Sequence, residues 1–163
     1  MNDCFERSLN GRRLPEKSSE MTDIISYMTW LSKGYAIGQD IQGSGMPKIV
    51  LDRLPDLKAG RVIYESKCAS CHQSNGQGLY TDDGHVAFPA LWGSKSFNIG
   101  AGMARLQTAA GFVKKNMPIG QGGSLSDDEA WDVAGYFTQQ NRPDFKNKKK
   151  DWPKGDRPKD ARY

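Results

Sequence analysis

KCASCHQ, residues 67–73, is the stretch that decides how this chain folds. It contains two of the three cysteines, Cys68 and Cys71, in a C-x-x-C-H pattern that ends on His72. That pattern is the attachment site of c-type haem. Two thiols three positions apart on a helical turn can each add across one vinyl group of the porphyrin. The adjoining imidazole of His72 then falls beneath the iron as its proximal ligand. Other readings of paired cysteines fit less well. A thioredoxin-like C-x-x-C does not need the adjacent histidine, and it belongs to a strand–helix unit that the neighbouring sequence lacks. A structural zinc site wants a second ligand pair, and the only other histidine, His85, stands alone.

The flanking sequence agrees with haem. DLKAGRVIYESKCASCHQ (56–73) reads as a helix capped by Asp56, with Gly60 and Tyr64 four apart on one face. QSNGQG (73–78) supplies glycines that let a loop pass close to a flat macrocycle. Near the other end, LSDDEAWDVAGYF (125–137) carries a capping box, Ser126 with Glu129. Ala130, Val133, Ala134 and Phe137 then form an inward stripe, with Tyr136 beside it. The arrangement resembles class I cytochromes c, in which an N-terminal helix crosses a C-terminal helix at small residues. The expected fold is therefore all-α: a class I cytochrome c fold around one covalently bound haem c over residues 56–141. An N-terminal helical extension and an extended basic C-terminal tail, residues 142–163, flank it.

Haem of this class takes a sixth ligand from beyond the motif, usually Met or His. His85 follows His72 by only 13 residues in a Gly- and Asp-rich loop, and reads as a surface or propionate-region residue. Met103 lies in GAGMARLQTAAGFVKK (100–115), which reads as a helix with Met103, Leu106, Ala110 and Val113 along one core-facing side. Met117 follows that helix, precedes Pro118 and a glycine-rich loop, and stands about nine residues before the final helix, the usual place of the axial methionine in this class. Met117 is the expected ligand. With His72 it would give a low-spin, six-coordinate site that carries electrons rather than binding substrate, at a higher potential than a bis-His site.

The first third reads differently. SSEMTDIISYMTWLSK (18–33) is an amphipathic helix, capped by Ser18 or Ser19 and ended by Gly34, with Met21, Ile24, Ile25, Met28 and Leu31 as its apolar stripe. A shift of 109 residues lays Met21 on Ala130, Ile24 on Val133, Ile25 on Ala134, Tyr27 on Tyr136 and Met28 on Phe137. Residues 1–34 thus read as the closing piece of a preceding cytochrome-like domain, and 35–55 as a Gly-containing linker ending in Pro55.

Composition narrows the functional classes. With 37% hydrophobic residues, 18 Gly and 8 Pro, the core is modest, and a buried cofactor would help to complete it. The net charge of +4 sits mostly in KNKKKDWPKGDRPKDARY (146–163), where aspartates interrupt the cations. That dilution argues against nucleic acid and for a solvated tail. No apolar run reaches membrane-spanning length, and no signal peptide precedes Asn2.

Six segments together resemble the dihaem thiosulfate dehydrogenases: CFERSLNGRRLP (4–15), EMTDIISYMTWLSKG (20–34), CASCHQSNGQG (68–78), the long run 88–121 from FPALWG to NMPIGQ, LSDDEAWDVAGYF, and DWPKGDRPKDARY (151–163). They occur in order and cover nearly the whole chain. The resemblance implies two class I cytochrome domains in the periplasm and the joining of two thiosulfates into tetrathionate with loss of two electrons. It implies a first haem with a histidine below and a cysteine thiolate above, and a second, His/Met haem that passes electrons to a partner cytochrome or other acceptor. Cys4 falls on that distal cysteine; a thiolate on iron is also a sulfur nucleophile. Arg7 and Arg12 would attract the dianionic substrate, and Ser8 would donate a hydrogen bond to a sulfonate oxygen. Cys68, Cys71, His72 and Met117 carry over to the second haem. Asn116 stands where some relatives have a rival lysine ligand, which favours plain His/Met ligation.

The family's first C-x-x-C-H, about forty residues before the position of Cys4, is not in this sequence. Two expectations follow. The chain is the electron-transfer half of a dihaem enzyme, or it is a stand-alone single-haem periplasmic carrier without substrate chemistry. An apolar helix stripe with nothing to cover it and the missing export signal favour the first. A purely structural haem is disfavoured by the basic tail and by Lys67, Lys114 and Lys115, which would flank the haem edge.

Overall fold

The computed structural model describes residues 1–42 and 44–163. Gly43, inside the expected linker, lies outside the described residues. The main helices are α1 (Ser19–Leu31), α2 (Leu57–Lys67), the single turn α3 (Ala69–His72), α4 (Leu106–Asn116) and α5 (Asp127–Thr138). Cys4–Ser8 forms a π-helical turn, and Leu79–Tyr80 (β1) pairs antiparallel with Val86–Phe88 (β2). That small hairpin is not foreseen by the periodicity, because two- and three-residue strands are too short to alternate.

The caps behave as the residue types require. Asp56 accepts from the backbone N–H groups of Lys58 and Ala59 at 2.9 and 3.1 Å, opening α2. Ser126 and Glu129 close a full capping box on α5. Ser18 caps α1 through Met21 N–H at 3.2 Å. The expected helix 100–115 is two pieces instead: a 3-10 turn, Gly102–Ala104, then α4. Arg105 between them is extended (ψ 131°), so Met103 belongs to the turn and not to the stripe of Leu106, Ala110 and Val113.

The core forms where α2 and α4 pack on α5. Tyr64, Ala109, Ala110, Ala130 and Ala134 are fully buried there. At Gly60, a Cβ atom would stand 2.1 Å from the carbonyl oxygen of Asp132, so only glycine permits α2 and α5 to cross this closely. Tyr64, one turn on, packs tilted against Tyr136 and Trp92 with ring centroids 5.5 and 4.9 Å away, and its hydroxyl donates to Gln73 O at 2.7 Å. At Gly76, in the loop after the motif, a Cβ would fall 2.2 Å from the Trp92 indole.

The segment before α2 packs on the same body. Ile49 N–H donates to Gln107 O, the Pro47 carbonyl lies against Gly111, and Arg53 bonds both Asp128 and Asp132. Trp131 Nε1–H donates to Arg53 O at 3.1 Å. The tail differs from the solvated reading. It has little regular structure, yet Phe145 is 5% exposed, and Asp160 accepts from Gln107 N–H at 3.0 Å. Its three aromatic residues, Phe145, Trp152 and Tyr163, give the tail apolar surface to bury. No helix is long and apolar enough to cross a membrane among the described residues.

Gly60→Ala tests the crossing. Helix propensity alone would favour alanine by about 1 kcal/mol. Overpacking against the Asp132 backbone costs about 1–3 kcal/mol or more, and should win. The expected result is a lower denaturation midpoint for the haem-loaded variant; an equal or higher midpoint would contradict the contact.

Candidate haem and thiol sites

α2 delivers the C-x-x-C-H motif. Cys68 interrupts the helix (φ −121°, ψ −34°) and starts a second turn, in which Cys71 N–H and His72 N–H both bond Cys68 O, at 3.2 and 2.9 Å. Neither cysteine is in a disulfide.

His72 Nδ1 lies 2.9 Å from Pro89 O. A carbonyl can only accept, so Nδ1 carries the proton and Nε2 presents its lone pair. This partner fixes the tautomer a metal-bound imidazole needs. The Phe88 ring stands edge-on to the imidazole at 6.4 Å. Pro89 escapes sequence reasoning, since any residue's carbonyl could serve and only the fold selects this one.

Met117 ends α4. Its N–H still bonds Val113 O at 2.9 Å, its own backbone is extended (ψ 149°), and a cis peptide bond leads into Pro118. It lies on the partly covered apolar fringe of the core, as do Cys68, Ala69, Leu91 and Met103. Asn116 is turned back on its own helix, donating to Phe112 O at 3.0 Å. His85 sits at the hairpin tip, 83% exposed and beside Asp83. Two neighbouring cysteines and an adjoining histidine whose Nδ1 is held by a carbonyl make up the C-x-x-C-H haem-attachment motif, and the Met117 thioether lies on the same half-covered apolar fringe as Cys68. Among the described residues, no cluster of three or more His, Cys, Asp and Glu could hold an ion by itself.

The lysines are not all free. Lys67 pairs with Glu129 at 3.4 Å, and Lys114 pairs with Asp127 at 3.3 Å. Lys115 is exposed and makes no ion pair among the described residues, and Ile119 beside the Met117 turn is 73% exposed.

The second candidate site surrounds Cys4. Cys4, Ser8 and Arg12 are exposed. Arg7 turns elsewhere: Nη1 and Nη2 grip the two carboxylate oxygens of Asp151 at 2.6 and 2.8 Å, and Cζ lies 4.2 Å over the Phe145 ring. The side chains of this pair are 22% and 11% exposed. The Tyr163 hydroxyl donates to the same carboxylate, and burial followed by that bond pushes its pKa up to about 12. Arg7 therefore does not present a free charge for an anion, as the sequence reading had it. Asn98, 2% exposed, donates to Glu6 O at 2.7 Å and to Asn10 Oδ1 at 3.0 Å, while its own N–H bonds Arg7 O at 3.1 Å. Neither Asn98 nor Asp151 is distinguishable as a site residue in the sequence.

Fold and motif define a c-type cytochrome domain, which carries covalently bound haem c. The chain belongs to the cytochrome c family described as "Cytochrome C oxidase, cbb3-type, subunit III", whose model matches residues 55–137. It is 52% identical over 162 residues to a thiosulfate dehydrogenase of Psychrobacter arcticus, covering 99% of this chain and 50% of that one. A thiosulfate dehydrogenase of Allochromatium vinosum is 50% identical over 143 residues, 88% of this chain and 53% of that one. Among solved structures, the thiosulfate dehydrogenase (TsdBA) of Marichromatium purpuratum, as isolated, superposes with a TM-score of 0.82 at 37% identity. That match covers 87% of this chain and 32% of the other. The chain spans about half the length of the curated relatives it matches.

Hydrogen bonds from Arg7 hold the Asp151 carboxyl below the usual carboxylate range. A depressed folded pKa contributes stability above the unfolded value, near 3.9, and loses it as pH falls through the folded one. Asp151→Asn should therefore cost about 1–3 kcal/mol at pH 7, with the gap to wild type closing as the pH drops below about 4. Urea unfolding at pH 7 and pH 3 checks this; a gap that does not depend on pH would contradict it.

Proposed function

We propose that this chain is the electron-transfer half of a thiosulfate dehydrogenase, and that its haem relays electrons released when two thiosulfates become one tetrathionate. The balance is two S2O3 dianions giving one S4O6 dianion and two electrons. The reading is carried by the 52% identity over 99% of the chain, which spans the Cys4 segment as well as the haem domain. Haem c, when bound, supplies one-electron oxidation and reduction. Cys68 and Cys71 would hold it covalently, and His72 and Met117 would ligate its iron. The Pro89 carbonyl keeps His72 in the required tautomer, and the helix end at Met117 leaves that side chain free of the α4 stripe.

Domain organisation follows the same reading: 1–34 close a preceding cytochrome-like domain, 35–55 link, 56–141 form the haem domain, and 142–163 the tail. Environments of the corresponding helix residues support it. Ala134 and Phe137 are at most 3% exposed on α5, whereas their α1 counterparts Ile25 and Met28 are 48% and 54% exposed, although Ile24 is half-buried and Met21 buried. A preceding domain would cover that face, and would bring a second haem within reach of the exposed Cys4, with Ser8 and Arg12 available to the substrate. We place the protein in the periplasm, with a cytochrome or other acceptor receiving electrons near Lys115 and Ile119.

The alternative, a single-haem carrier, is distinguished by haem count and turnover. The natural protein should contain two haems, and thiosulfate should reduce it with no partner present. One haem and no reduction by thiosulfate would make it the carrier. Met117→Ala should abolish the low-spin His/Met spectrum and lower the potential of this haem; an unchanged spectrum would move the ligand to Met103. Cys4→Ser should leave this haem's spectrum unaltered while stopping thiosulfate oxidation.

A further inference from the structure

We propose that Arg7 and Asp151 act with Asn98 as a positioning device: through them the C-terminal tail fixes where Cys4 stands relative to the haem domain. The inference rests on the reading above, in which Cys4 serves the reacting centre. It reassigns Arg7 from substrate attraction to geometry.

Three observations carry it. First, the guanidinium is spent. Both terminal nitrogens of Arg7 bond one carboxylate, and the planar group lies over Phe145, so the charge is neutralised and the fork is filled. Second, the turn is held from two sides. Arg7 anchors it to the tail, and Asn98 anchors it to the loop before the Gly102–Ala104 turn. Both Asn98 amide hydrogens and its carbonyl are used, on Glu6 O, Asn10 Oδ1 and Gly100 N–H. Asn2 closes the segment on itself through Leu14, with bonds of 2.9 and 3.2 Å. Third, the anchoring and the chemistry occupy different sides of the turn. Arg7 and Asp3 line the cleft against Asp151, Trp152 and Tyr163, whereas Cys4 and Ser8 are exposed and line no part of it.

The tail is built to hold Asp151 in place. Tyr163, the last residue, donates to Asp151, and its ring packs on Trp152 with centroids 5.1 Å apart. Asp160 ties the same stretch to the start of α4. A bidentate grip fixes both the position and the roll of the turn, which a lysine at position 7 would not do. Cys4, one turn before Arg7, inherits that placement.

The test uses the natural, haem-loaded protein with Arg7→Lys, Asp151→Asn and the double variant. Arg7→Lys keeps the charge and removes only the fork. Amide exchange over residues 4–11 should accelerate about tenfold in each single variant and no further in the double, with α5 unchanged. The electron paramagnetic resonance signature of thiolate-ligated haem should fall, and kcat with it, while the KM for thiosulfate stays within about twofold. The result that overturns the proposal is wild-type exchange and a wild-type thiolate signal in Arg7→Lys with KM raised about tenfold, because Arg7 would then serve substrate binding. Cys4→Ser in the same series tests the underlying reading by itself. A wild-type thiolate signal there would refute Cys4 as the ligand, a failure that the exchange rates cannot produce.

Discussion

The close crossing of α2 over α5 at Gly60 is the constraint from which the rest of the domain follows. Because no Cβ intervenes, the α2 backbone approaches the Asp132 carbonyl directly, and the two helices lock in one relative pose. Tyr64 then finds its place between Trp92 and Tyr136, and its hydroxyl holds Gln73 O just past the motif. The position of the Cys68–His72 turn is set by this packing. A haem site requires that kind of rigidity, since thiols and imidazole must meet one flat group together.

Around this crossing, buried polar groups join segments that helix packing alone would leave loose. Asp132, 8% exposed, accepts from Arg53 and from Asp56 N–H, so the chain entering α2 is tied to the helix that α2 crosses. Asn98 does the same for the Cys4 segment, and Asp151 for Arg7. Each of these groups has its hydrogen-bonding capacity largely met, as burial demands. The molecule thus holds a redox centre and an exposed thiol on one framework. Within the functional reading, that gives a fixed spatial relation between the place where sulfur chemistry occurs and the route by which electrons leave.

Much of the site was legible because it is written locally. C-x-x-C-H is a covalent requirement within five residues, and Ser126 with Glu129 is a hydrogen-bond requirement within four. Met117 was marked out by its neighbours: a helix end before and Pro118 after. Where reasoning from local pattern failed, a competing contact had won. Arg7 looked like a free cation because its carboxylate is 144 residues away. The tail looked solvated because its charges outnumber its aromatics, although Phe145, Trp152 and Tyr163 decide its course.

By itself, then, the sequence determined α1, α2 and α5 with their caps, the haem-binding turn and the small residues that permit the main crossing. These depend on backbone hydrogen bonds and side-chain spacing within a few residues, which any reader of the chain can lay out. Only the tertiary structure decided that Pro89 orients His72, that Lys67 and Lys114 are paired while Lys115 makes no ion pair among the described residues, and that Asn98 and Asp151 hold the Cys4 turn. Those choices join residues 13 to 144 positions apart. No local preference selects such partners, because any carbonyl, carboxylate or amide of the right type would do. The fold selects one by bringing it within about 3.5 Å and withdrawing water from the others.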